Sequence, residues 1–137
     1  MAIDYGRKRT GIAVTDSLRI SANGLPTIET NQIHTFLKDY FSRESVDIVV
    51  IGFSAHIDGT PTAIEADIQL LISFFKNHFP NIKIERMDES YSSIRAREII
   101  LQSGAGQKKR RDKFLVDKIS AVLILQEFME RQGGDIG

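Results

Sequence analysis

The sequence predicts a single α/β domain: a mixed β-sheet, antiparallel where the chain begins and parallel further on, with helices on its faces. Three observations carry that expectation. The opening thirty or so residues hold three short apolar strands joined by turn residues. From there strand and helix alternate, the order that builds parallel crossover units. Val46 to Phe53 is a nearly continuous β-branched run, the pattern of a strand covered on both sides.

Ile3 to Val14 reads as a hairpin with Gly6 through Gly11 at the turn, and Leu25 to Ile28 as a third strand. Ile33, Phe36, Leu37, Tyr40 and Phe41 recur at helical spacing with His34, Lys38 and Asp39 opposite, an amphipathic helix. After the Val46–Phe53 strand, Thr60-Pro61 opens a second helix, proline being favoured in a first turn. Ile64, Ile68, Leu71 and Phe75 form its apolar stripe. Ile82 to Met87 is the next strand, ending at Asp88-Glu89. Ser92 or Ser93 caps a helix that runs to about Gln102 and stops at Ser103-Gly104-Ala105-Gly106. A final helix runs from about Lys113 to Arg131 and ends at Gly133-Gly134. The domain is therefore expected to span 1–131, with 132–137 a flexible tail.

The 137 residues suffice for one domain with a sizeable core. There is no cysteine, which excludes disulfides and thiolate metal sites and suits a reducing compartment such as the cytoplasm. The N-terminal residues lack a signal-peptide pattern, and the apolar run from Leu115 to Leu125 is broken by charge, so no membrane partner is expected. Net charge is zero, so any nucleic-acid contact must come from local clusters. Two exist: Arg7-Lys8-Arg9, and Lys108-Lys109-Arg110-Arg111.

Acids stand at three places where they are costly. Asp4 lies inside the first apolar strand, Asp88-Glu89 at the end of the last strand, and Asp117 among Phe114, Leu115, Val116 and Ile119 in the final helix. At helical spacing Asp117 shares a face with Phe114, Ser120, Ala121 and Ile124, and small Ser120 and Ala121 let that helix approach the sheet. In open α/β sheets, sites gather beyond the carboxyl ends of the strands. Three carboxylates converging there repel one another unless cations bind, and Mg²⁺ or Mn²⁺ are the natural occupants. Ions roughly 3.5–4 Å apart stabilise both attacking and leaving oxygens in phosphodiester hydrolysis. Blander roles compete: Asp4 as a turn acid, Asp88 at a turn or cap, Asp117 paired with Lys113 or Lys118. Of the Asp88-Glu89 pair, Glu89 is the favoured ligand, with Asp88 as a further one. Asp16 and Asp58 belong to turns, and His34 and His78 are bystanders. The basic linker before Asp117 is either a solvated loop, the usual fate of a charge run, or falls near the metal edge and holds a phosphate backbone, a contact that positions without reading sequence.

These residues resemble the YqgF-like family, described as Holliday-junction resolvases and as processing nucleases for the 5′ end of pre-16S ribosomal RNA. The resemblance spans nearly the whole chain. It rests on Asp4-Tyr5-Gly6, Lys8-Arg9, Gly11-Ile12-Ala13-Val14 and Asp16, on Val50-Ile51-Gly52 with Asp58-Gly59, on Asp88-Glu89, and on Lys108 to Arg111 followed by Val116-Asp117 and Ala121 to Gln126. It implies an RNase H-like five-stranded sheet and an acidic triad of Asp4, Glu89 and Asp117 holding Mg²⁺ or Mn²⁺. Arg7, Lys8, Arg9, Lys108, Lys109, Arg110 and Arg111 then contact nucleic acid: precursor rRNA, with ribosomal particles as partners, or branched DNA. The chain acts as a monomer or a homodimer. Ser54 and Ser90 depart from the family pattern, where proline and arginine are usual, and few residues precede Asp4. Two other functions compete. Asp4-x-Gly6 also resembles the phosphate loop of actin-like ATPases, which calorimetry with ATP would reveal. A non-catalytic RNA-binding assembly factor would tolerate Glu89→Gln, as a nuclease would not.

Overall fold

A computed structural model describes residues 1–16, 21–53, 63–88, 96, 98–99 and 113–136. Among these residues the chain forms β1 (Ala2–Tyr5), β2 (Arg9–Thr15), β3 (Ala22–Gly24), β4 (Ile28–Glu29), α1 (Ile33–Arg43), β5 (Ile48–Phe53), α2 (Glu65–His78), β6 (Lys83–Asp88) and α3 (Lys113–Ile136). Ala96, Glu98 and Ile99 are also helical.

The sheet order is β3-β2-β1-β5-β6, with β4 also on β2. β1 and β2 pair antiparallel, whereas β1–β5 and β5–β6 are parallel. The expected meander followed by crossovers is present. The third strand is not the single Leu25–Ile28 segment expected. It is split into β3 and β4, which pair with opposite ends of β2. Pro26, in the gap between them, has no N–H for the ladder. Leu25 still donates its N–H to the Ile12 carbonyl at 2.8 Å.

Strand alternation sends successive side chains to opposite faces. Ile3, Ile12, Val49 and Ile51 meet Leu37 of α1 and Ile68, Leu71, Phe74 and Phe75 of α2 on one face. Ala2, Ala13, Val50 and Met87 meet Ala121, Ile124 and Leu125 of α3 on the other. The periodicities of α1 and α2 are thus realised, with Phe74 an additional buried residue. Helix α2 begins at Glu65, and the expected Thr60-Pro61 start lies outside the described residues, as do Ser92 and Ser93. Helix α3 continues through Gly133-Gly134 to Ile136 instead of ending there. Glycine inside a helix costs about 1 kcal/mol relative to alanine, too little by itself to impose a stop.

The start of β1 is held firmly. Met1 is buried, its nitrogen donates to the Ile48 carbonyl at 3.1 Å, and its carbonyl accepts from the Val50 N–H at 2.8 Å. Those bonds fix the strand that carries Asp4 against the centre of the sheet.

Candidate active site

Asp4 is the third residue of β1 and is half-buried. Because β1, β5 and β6 run parallel, their carboxyl ends share one edge of the sheet. Ile3 is level with Ile51, and Phe53 with Asp88, so Asp4 and the last residue of β6 both stand at that edge. The two strands are not adjacent; β5 lies between them. Glu89, the favoured second acid, lies outside the described residues, and of Asp88 only the backbone position is described.

Gly11 sets where Asp117 lies relative to Asp4. It stands directly opposite Asp4 in the β1–β2 ladder, and residues so paired share a face. A Cβ built on Gly11 would overlap the Asp117 carbonyl oxygen of α3. The helix backbone therefore rests on the bare glycine, which places Asp117 over the same face as Asp4. Gly24 gives the next step of clearance: a Cβ there would lie 2.7 Å from Cγ of Lys118. Ser120 and Ala121, the small residues expected to permit this approach, are indeed buried. The glycines on the sheet side share that role and went unrecognised in the sequence, although glycine inside a strand signals close backbone approach. Phe114 does not join the buried face as expected; it is 47% exposed.

Asp117 pairs with Arg9, whose Nε donates to Oδ2 at 3.0 Å. Arg9 and Gly11 are two residues apart on β2, so both face α3. The Arg9 guanidinium also lies 5.6 Å from the Phe114 ring centre. Arg7 and Lys8, in the β1–β2 turn, are exposed. The segment Lys108, Lys109, Arg110 and Arg111 lies outside the described residues. Asp16 accepts from the Ser21 N–H at 3.3 Å, the turn role expected of it.

The donor chemistry on this face fits a hard cation: Asp4 and Asp117 offer carboxylate oxygen, and the chain has no cysteine. His34 and His78 lie on the opposite side of the sheet, His34 stacked on Phe74 and His78 tilted against the same ring. Among the described residues no three acids or histidines come together as a metal cluster.

A second pair has no signature in the sequence. Arg86 of β6 holds both carboxylate oxygens of Glu65, in the first turn of α2, at 2.7 and 3.0 Å. It also donates to the Ile51 carbonyl at 3.1 Å, near the end of β5. Its hydrogen bond keeps the Glu65 carboxyl below its ordinary range. The clamp ties α2 to the edge that bears Asp4, from the face away from the acids. Tyr5 also faces that side, and burial followed by the charge of Asp67 raises its phenol.

The mixed sheet, covered on both sides and carrying acids at its carboxyl edge, defines an RNase H-like α/β protein. A fowlpox virus resolvase solved with its substrate Holliday junction DNA shares the fold, with a TM-score of 0.55 at 14% identity and 95% of each chain covered. The model of the RuvX family, described as Holliday junction resolvase, matches residues 1–131, and the chain belongs to that family. Relatives named "Putative pre-16S rRNA nuclease" are 44% identical in Flavobacterium psychrophilum, over 96% of either chain, and 45% identical in Christiangramia forsetii, over 94% of this chain and 96% of that one.

Proposed function

We propose that this protein is a divalent-metal-dependent nuclease that hydrolyses phosphodiester bonds of precursor small-subunit rRNA during ribosome assembly in the cytoplasm. One observation carries the reading: Gly11 seats the Asp117 turn of α3 over the face that Asp4 occupies. Asp4, Asp117 and Glu89, with Asp88 beside it, would hold Mg²⁺ or Mn²⁺, and the bound ion would supply an activated water and charge stabilisation at the phosphate. Arg9 orients Asp117 and offsets part of the acid repulsion. Arg7 and Lys8, with Lys108 to Arg111, hold phosphates by charge, which makes binding salt-sensitive. The names of the bacterial relatives support the rRNA substrate and, with it, ribosomal particles as partners.

Cleavage of junction DNA is the second reading, favoured by the description of the family itself. It requires two symmetric active sites and hence a homodimer, whereas trimming rRNA needs only a monomer.

The test is incubation with Mg²⁺ or Mn²⁺ and either precursor small-subunit rRNA or a four-way DNA junction. Cleavage of the RNA is expected. Asp4→Asn and Asp117→Asn should each lower it by more than roughly 100-fold, beyond the loss that outer partners of metal ligands cause. Undiminished cleavage by Asp4→Asn would overturn the site, and cleavage of the junction alone would establish the second reading.

A further inference from the structure

We propose that Phe114 is a stacking platform for an unpaired nucleobase beside the phosphate held at Asp4 and Asp117, a proposal that rests on the nuclease reading above. Single exposed apolar side chains are ordinary on protein surfaces; what distinguishes Phe114 is its place. It lies three residues before Asp117 on α3, one turn away and about 4.5 Å along the helix axis. That is the scale of one nucleotide step, about 3.4 Å when stacked. Leu70 is more exposed, at 70%, but it sits on α2, across the sheet from the acids, and has no ring.

The backbone that carries the ring is tied down before any substrate arrives. The Thr27 hydroxyl, from the connection between β3 and β4, donates to the Phe114 carbonyl at 2.7 Å and ties the first turn of α3 to the sheet. Arg9, itself fixed by Asp117, places its guanidinium 5.6 Å from the ring centre. Aromatic side chains interleaved with cations are the usual means of binding single strands without reading sequence, because every base has a stacking face. A base in a continuous duplex is already stacked on its neighbours, so the platform favours substrates with unpaired nucleotides next to the cut. Loops, ends and branch points qualify in RNA or DNA.

The chain has no tryptophan, so Phe114→Trp introduces a sole indole fluorophore at the platform. Titration with a single-stranded oligonucleotide should quench its emission. The same oligonucleotide with abasic residues, or annealed into a duplex, should leave it unchanged. Phe114→Ala should raise KM about tenfold for substrates unpaired beside the cut and leave KM for fully paired ones unaltered. Unquenched emission from the Phe114→Trp variant, under conditions where filter binding shows the oligonucleotide bound, would overturn the proposal and leave the nuclease reading intact. An equal KM rise for paired and unpaired substrates would do the same. Wild-type protein that neither binds nor cleaves any of these substrates would overturn both.

Discussion

The two faces of the sheet are built from different materials. Toward α1 and α2 the chain sets large side chains: Ile3, Ile12 and Ile51 against Phe74 and Phe75, with Phe36, Phe41 and Phe79 packed around them. Toward α3, Val50 and Met87 pack on Ile124 and Leu125, but around the Asp117 turn the chain sets only Ala2, Ala13, Gly11 and Gly24 against Ala121 and that turn. Burying a large apolar side chain stabilises by about 1.5–3 kcal/mol, so the first face is the stronger contributor to folding. Around Asp117 the second gives up that area for proximity. A helix lying close to the strands can bring its own carboxylate to one on the sheet; a helix raised on isoleucines and phenylalanines cannot. The larger side chains are concentrated on one face, and Asp4 and Asp117 lie on the other.

Substitutions can break that division. Phe75→Ala, in the centre of the large-residue face, should cost about 3–5 kcal/mol in urea unfolding, while the fraction that remains folded cleaves at the wild-type rate. Gly11→Ala should cost less stability, about 1–3 kcal/mol, because overlap with a backbone carbonyl forces α3 outward. Its cleavage should nevertheless fall more than tenfold, since the Asp117 turn moves from Asp4. Equal activity losses in these two variants would show that the faces do not divide the work.

A subtler effect comes from the Glu65–Arg86 clamp. The Glu65 carboxyl is depressed below its ordinary 4.5, so its contribution is complete above that value and is lost as pH falls through the lower, folded value. Glu65→Gln should lower stability by about 1 kcal/mol at neutral pH and flatten its decline in acid below about pH 4.5. Parallel acid-unfolding curves for the two proteins would remove the clamp from the account. The smallest change should come from Ser120→Ala. Among the described residues the buried Ser120 hydroxyl has no hydrogen-bond partner, so its removal should be neutral or stabilising by less than about 1 kcal/mol.

Asp4 and Asp117 are legible in the sequence because each interrupts an apolar pattern, and such an interruption is costly unless it serves something. The order of strands and helices along the chain is legible for a related reason: alternation and helical spacing are short-range signals. The break in the third strand is harder to see, because Pro26 falls among apolar residues that read as one continuous segment. Glu89 and the segment Lys108 to Arg111 stand out in the sequence and lie outside the described residues.

Local pattern along the chain is enough to say which residues are apolar, where the strands and helices fall, and which acids are out of place. Which residue answers which is settled by the tertiary structure alone. Arg9 meets Asp117 across 108 positions, Arg86 meets Glu65 across 21, and Gly11 becomes the seat of a helix from the far end of the chain. Pairings of that kind depend on the order of strands in the sheet and on how closely a helix can lie upon it. Both are set by packing summed over the whole chain, which no local pattern records.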